Sequence, residues 1–113
     1  DGGVFTVEFE LKGYKYTALN GGGFFKFSEA VSIMVMCEDQ AEVDKYWDAL
    51  TSDGGVAGNC GWLKDKFGLS WQVIPTQLNV CLNHPDPAKA KAAMDAMMGM
   101  SKLIVSELEA AVL

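Results

Sequence analysis

The sequence predicts an α+β domain: a β-hairpin, then a strand–helix–strand–strand–strand unit, then C-terminal helices. Three observations carry this. Residues 4–11 alternate strictly, with Phe5, Val7, Phe9 and Leu11 on one face and Val4, Thr6, Glu8 and Glu10 on the other, the period of a strand. Asp39 and Glu42 stand in capping-box spacing ahead of Val43, Tyr46, Trp47 and Leu50, the i, i+3, i+4, i+7 stripe of a helix lying on a sheet. From Cys60 to Pro75, two apolar runs flank a polar Lys64-Asp65-Lys66 ending in Gly68, which marks a second hairpin turned at 65–68. With 113 residues, the chain is one domain with one core.

In order along the chain, Lys12-Gly13 divides the first strand from a second, Tyr14 to Leu19, as a tight turn. Glu8 and Glu10 share a face and are either a carboxylate pair or a solvated strand surface. Asn20-Gly21-Gly22-Gly23 is a loop and not a phosphate cradle, for it lacks the Lys and Ser/Thr of a P-loop and no helix opens behind it. Val31 to Cys37 is a strand with Val31, Ile33 and Val35 on one side and Ser32, Met34 and Met36 on the other. The helix from Asp39 ends at Ser52-Asp53-Gly54-Gly55, and Trp47 in its stripe belongs to the core. Past Gly68, Leu69, Trp71 and Val73 alternate with Ser70, Gln72 and Ile74 until Pro75, which has no N–H for a ladder. Thr76 to Leu82 shows no clear period. Asp86-Pro87 starts a helix as N-cap and first helical residue, with Ala90, Ala93, Met94 and Met97 on one stripe. Gly99 interrupts it, and Leu103 to Val112 forms a last helix with Ile104, Leu108 and Val112 inward. Met94, Met97, Met98 and Met100 are either packing residues or an adaptable binding surface.

A formal charge of −6, with 9 lysines and no arginine, excludes a phosphate-backbone binder and a cationic membrane anchor. No apolar run approaches the roughly 20 residues that span a bilayer. The three cysteines, Cys37, Cys60 and Cys81, have no C-x-x-C spacing and suggest reduced, mostly buried thiols of a cytoplasmic protein. Half the residues are hydrophobic, more than so small a body needs, so part of this surface is expected to be covered. Asp1-Gly2-Gly3 is neither an initiator Met nor a signal peptide, and a strand follows almost at once.

Several joined motifs then bring a family into view. They are Ala18-Leu19-Asn20-Gly21-Gly22, Phe25-Lys26-Phe27-Ser28-Glu29-Ala30, Glu42-Val43-Asp44-Lys45-Tyr46-Trp47, Cys60-Gly61-Trp62-Leu63-Lys64-Asp65-Lys66-Phe67-Gly68, Ser70-Trp71-Gln72-Val73-Ile74-Pro75 and Asp86-Pro87-Ala88-Lys89-Ala90. With these residues the chain resembles the vicinal-oxygen-chelate superfamily of glyoxalases, bleomycin-resistance proteins and extradiol dioxygenases. Within it, the resemblance is to the PhnB-like branch, often labelled 3-demethylubiquinone-9 3-methyltransferase-like. The resemblance implies glyoxalase-like βαβββ modules in a single domain. Residues 1–28 would be the tail of a first, incomplete module, 29–75 a second module and 76–113 a C-terminal helical extension. It also implies pairing of modules across a two-fold axis, hence a homodimer.

Enzymes of that superfamily hold a divalent metal with His, Glu or Gln on inward strand positions. By the resemblance those positions fall at Ser32 and Gln72, a hydroxyl and a neutral amide, which are poor donors for Zn²⁺, Ni²⁺ or Fe²⁺. His84, the one histidine, sits beside Pro85 in a loop. No metal and no cofactor are therefore expected. A methyl-transfer site would need a doubly wound domain with a Gly-rich turn after its first strand, and nothing here has that pattern. The expected function is binding of a small molecule by Gln72, Ser32, Met34, Ser70 and Asn20, with Trp62 at the rim, since few polar atoms among apolar walls suit a ligand site. The alternatives are a metal-dependent lyase, isomerase or dioxygenase, or a purely structural module. For Gln72 the plain alternative is a buried amide satisfied by its neighbours.

Overall fold

The computed structural model describes residues 3–113; the reading made above on Asp1 and Gly2 lies outside the described residues. Thr6–Leu11 (β1) and Tyr14–Leu19 (β2) form an antiparallel hairpin. Its two-residue turn places Lys12 at φ 51° and Gly13 at φ 86°, the left-handed pair that matches strand twist. Glycine takes that φ without strain. Lys12 is held there by its own side chain, which donates to the Met36 carbonyl at 2.6 Å and to the Glu42 carboxylate. The hairpin pairs Val7 with Ala18, Phe9 with Tyr16 and Leu11 with Tyr14 on one face, and the Phe9 and Tyr16 rings stack at 5.2 Å. Glu8 and Glu10 fall on the other face, opposite Thr17 and Lys15, so they form a solvent-facing strand surface.

Ser32–Cys37 (β3), Gln40–Thr51 (α1), Val56–Ala57 (β4), Trp62–Lys64 (β5) and Ser70–Pro75 (β6) follow in the expected order. They build a four-stranded sheet, β3-β6-β5-β4. β3 and β6 run parallel and the other neighbours antiparallel, so α1 is the crossover that a parallel pair requires. The Asp39 carboxylate accepts from the Glu42 N–H at 2.9 Å, while Glu42 reaches back to the Glu38 N–H at 3.0 Å, one residue short of a standard capping box. Val43 and Trp47 of α1 bury against Val35, Cys37, Leu63, Trp71 and Val73.

In the β5–β6 turn, Gly68 takes φ 88° and the Asp65 carboxylate organises the reversal. One oxygen accepts from the Phe67 and Leu69 N–H groups, and the other from the Trp71 indole N–H at 2.9 Å. Trp71 is 5% exposed, so its N–H needs that partner.

Thr76–Leu82 (α2), Pro87–Met98 (α3) and Val105–Ala111 (α4) form a helical layer. Ile74 of β6 joins Leu78, Cys81, Ala93, Leu103 and Leu108 in a second core. Three elements differ from the sequence expectation. Pro75 remains in β6 opposite Cys37 and also starts α2, because its φ of −74° and ψ of 145° suit both a strand end and the residue before a helix. α2 is short and buries only Leu78 and Cys81, too few points for a visible period. The last helix starts at Val105 and not at Leu103: Leu103 is buried ahead of it, Ile104 is its half-buried N-cap, and the helical phase begins after that residue.

The helical layer is bound to the rest by backbone. Cys60 and Gly61 donate to the carbonyls of Met100 and Ser101, each at 2.8 Å. A Cβ on Gly61 would sit 3.0 Å from Leu103 Cδ1 and 3.1 Å from the Val73 carbonyl, so only glycine allows that approach. The Gln40 amide donates to the Leu103 carbonyl at 3.1 Å and accepts from the Val105 N–H at 2.7 Å.

Two measurements follow from these contacts. Asp65→Ala leaves a buried indole N–H unpaired and is expected to lower stability by about 2 kcal/mol in urea denaturation, with Asp65→Asn recovering part of it. The Lys12 hydrogen bond, foremost, holds Glu42 below its ordinary pKa of 4.5, and the same bond raises Lys12 above 10.5. A carboxylate depressed in the fold stabilises above its unfolded pKa and loses this as pH falls through the folded one. The raised ammonium stabilises below 10.5 and loses this as it deprotonates. Melting temperature should therefore fall on the acid side below pH 4.5, and Lys12→Met should flatten the part due to this pair.

Candidate functional site

The parallel register decides which side chains meet. Ile33, Val35, Trp71, Val73 and Leu63 point to α1, so the alternate residues of β3, β6 and β5 share the opposite face. Strand pairing sets them in rows: Ser32 beside Ser70 beside Lys64, then Met34 beside Gln72 beside Trp62, then Met36 beside Ile74. The third row belongs to the second core and lies under the helical layer. The first two rows form an open face.

Five of the six residues expected to bind a ligand, Ser32, Met34, Ser70, Gln72 and Trp62, are brought together on this face. Gln72 Nε2 donates to Ser32 Oγ at 2.9 Å across the two rows. Met34 is 52% exposed and Ser70 is buried, while Ser32, Gln72 and Trp62 are half-buried. Asn20 is engaged elsewhere. Its backbone N–H donates to the Phe5 carbonyl at 2.8 Å and its side-chain amide to the Val4 carbonyl at 3.2 Å, closing the open end of the first hairpin.

The sequence reading missed an ion pair beside the face. Lys64 Nζ lies 3.2 Å from Glu29 Oε2, so the segment leading into β3 reaches across β6 to β5. The hydrogen bond from Lys64 is the main reason the Glu29 carboxyl lies below its ordinary range. Lys64 shares parity with Trp62, which was the one signal available. On the other side, a groove of about 220 Å³ runs between the hairpin and β3, lined by Leu11, Lys12, Tyr14, Tyr16, Met34 and Met36.

Ser32 and Gln72 are neutral and bonded to each other, and among the described residues no three His, Cys, Asp or Glu side chains cluster so as to hold a metal ion. His84 Nδ1 accepts from the Asp86 N–H at 3.0 Å, in the turn between α2 and α3. Asn20 to Gly23 run into irregular chain up to β3, with no helix start behind the glycines to receive a phosphate.

The thiols are no better placed for chemistry. Burial pushes Cys37 up to about 11 and raises Cys81 as well, whereas nucleophilic cysteines need the opposite shift. Native-state alkylation at neutral pH, read by mass spectrometry, should modify the half-buried Cys60 first and leave Cys37 and Cys81 untouched until the chain unfolds.

Comparison with known proteins bears on this architecture. The family model described as 3-demethylubiquinone-9 3-methyltransferase matches residues 1–74, through β1 to β6 and short of the helical layer. A solved structure of a PhnB protein from Bacillus cereus, which carries the same methyltransferase name, is similar with a TM-score of 0.56 and 28% identity. The likeness covers 63% of this chain and 64% of that one, so the chain spans less than two thirds of that relative. No curated protein matches. With the family match running over most of its length, this α+β chain of glyoxalase-like fold belongs to the 3-demethylubiquinone-9 3-methyltransferase-like, or PhnB-like, family.

Proposed function

We propose that the chain binds a small, uncharged molecule on the open face of its sheet and does so without a metal, in the cytoplasm. The Gln72–Ser32 pair carries the reading. It is a neutral donor–acceptor couple, half-buried, with Met34 and Trp62 flanking Gln72 in one row. Such a pair can open to offer an amide and a hydroxyl to a ligand, while the soft side chains around it supply contact area. The nearby cations favour an uncharged ligand, because Lys64 is paired with Glu29 and Lys12 with Glu42. An anion would have to break one of those pairs. Free thiols at Cys37, Cys60 and Cys81 fit a reducing compartment.

The relative's methyltransferase name is not carried over. Its chemistry would call for a Gly-rich turn leading into a helix, and the chain's glycine run leads into irregular structure instead. Metal-dependent lyase, isomerase or dioxygenase chemistry is the second reading, resting on the position of Gln72 in the fold.

Metal analysis of protein purified without chelator, joined to a thermal-shift screen of neutral metabolites, separates the two. The expected result is substoichiometric metal and a hit that raises the melting temperature, since a ligand bound only to the native state must do so. The shift should vanish in Gln72→Ala. Stoichiometric divalent metal that Gln72→Ala releases would overturn the proposal in favour of the second reading.

A further inference from the structure

The open face of the sheet is a single wall. Ligand sites cover roughly 70–90% of their occupant, and two rows of side chains on one sheet cover one side only. The chain ahead of β3 carries what the face lacks. Phe24 is 87% exposed, Phe25 86% and Phe27 59%, and large apolar groups gathered in water mark a surface made for contact. Among the described residues, no backbone hydrogen bond ties positions 21–28 to the rest of the chain. The segment begins in Gly21-Gly22-Gly23. Gly22 is at φ 83°, with open space where its Cβ would stand, so the chain turns there at little cost. Its fastening ahead of β3 is the Glu29–Lys64 ion pair.

We infer that Phe25 and Phe27 form the second wall of the site, and that its ligand is a flat, uncharged aromatic held between them and the Met34–Gln72–Trp62 row. The inference rests on the reading of the open face as a binding site. Parity is the first argument. Glu29 meets Lys64, and Lys64 stands on the open face beside Ser70. Alternate residues of an extended chain share a side, so Phe27 and Phe25 follow Glu29 toward the sheet while Phe24 and Lys26 turn away. Reach is the second. Two extended residues cover about 7 Å and four about 13 Å, and successive rows on one sheet face are also about 7 Å apart. With Glu29 held at Lys64, the two rings therefore span the row that contains Gln72. Tethering is the third. A wall on the same chain meets the sheet at the effective concentration of a short flexible linker, on the order of millimolar, an advantage no separate partner has. Phenyl rings on one side and the Trp62 indole on the other suit a flat ring, because aromatic groups stack with centroids about 4.5–7 Å apart. The Gln72 amide then supplies the polar contact, and Lys64 and Glu29 neutralise each other at the margin.

Fluorescence titration of the whole chain with N-phenyl-1-naphthylamine, an uncharged diaryl amine with one N–H, tests this. The double variant Phe25→Ser/Phe27→Ser is expected to bind the dye about tenfold more weakly. Phe24→Ser, of the opposite parity, and Val80→Ser, on an exposed position of α2, should leave the affinity unchanged, and Gln72→Ala should weaken it. All four apolar positions are exposed, so these substitutions keep the fold, which thermal melts verify. Hydrogen exchange of the unaltered chain gives a second readout, with protection gained across residues 24–29 when the dye is added. A folded Phe25→Ser/Phe27→Ser chain that keeps its affinity while Gln72→Ala loses it overturns the second wall and leaves the sheet-face reading standing. Loss in the double variant with none in Gln72→Ala puts the dye on the segment alone and overturns both. A chain that binds no dye, or gains no protection at 24–29, also overturns the inference, and the metal analysis and thermal-shift screen then judge the sheet face by themselves.

Discussion

The parallel pairing of β3 with β6 is the constraint from which the rest of the molecule follows. Two parallel neighbours need a long crossover, and α1 supplies it across one side of the sheet. Val43 and Trp47 then claim Val35, Trp71, Val73 and Leu63 for a core. What those residues do not use is left by parity on the other side. Ser32 becomes a neighbour of Ser70, and Met34 of Gln72, although the members of each pair are 38 positions apart in the chain. A slip of β6 by one residue would turn that strand over, burying Gln72 against α1 and exposing Trp71.

The electrostatic character of the open face comes from the same geometry. Its one charged residue, Lys64, is matched by Glu29, and the charges at the edge of the adjoining groove are matched between Lys12 and Glu42. Exposed pairs of this kind add little to stability. Their effect here is to leave an amide, the Ser32 hydroxyl, a thioether and an indole as the groups a visitor would meet. Such a surface is selective by shape and hydrogen bonding rather than by field.

Most of the fold was legible because its elements are locally consistent. Asp39 and Glu42 announce a helix start, Asp86-Pro87 announce another, and Gly68 marks a reversal that the backbone makes with φ 88°. The alternations along 31–37 and 69–74 also put Ser32 with Met34, and Ser70 with Gln72, on a common face of their strands. What escaped was information that is not local. α2 has only two buried residues and is helical because the strand delivers it onto α3 and α4. Asn20 looked like a pocket amide from its sequence neighbours, yet it serves the hairpin's own backbone. The Lys64–Glu29 pair joins positions 35 residues apart in the chain, which no spacing rule can reveal. Ile104 was placed inward by periodicity, but the helix takes its phase from Val105 onward.

Gln40 has a consequence that reaches across both cores. Its single amide grips the carbonyl of Leu103 and the N–H of Val105, at the entry to α4, while standing in the first turn of α1. The amide itself does not titrate, but its Nε2 also donates to the Asp44 carboxylate, which pairs with Lys102, and the bond from Gln40, foremost, holds that carboxyl below its ordinary pKa. Acid therefore weakens the joint between the two cores as well as the Lys12–Glu42 fastening of the hairpin, since each depends on a depressed carboxylate.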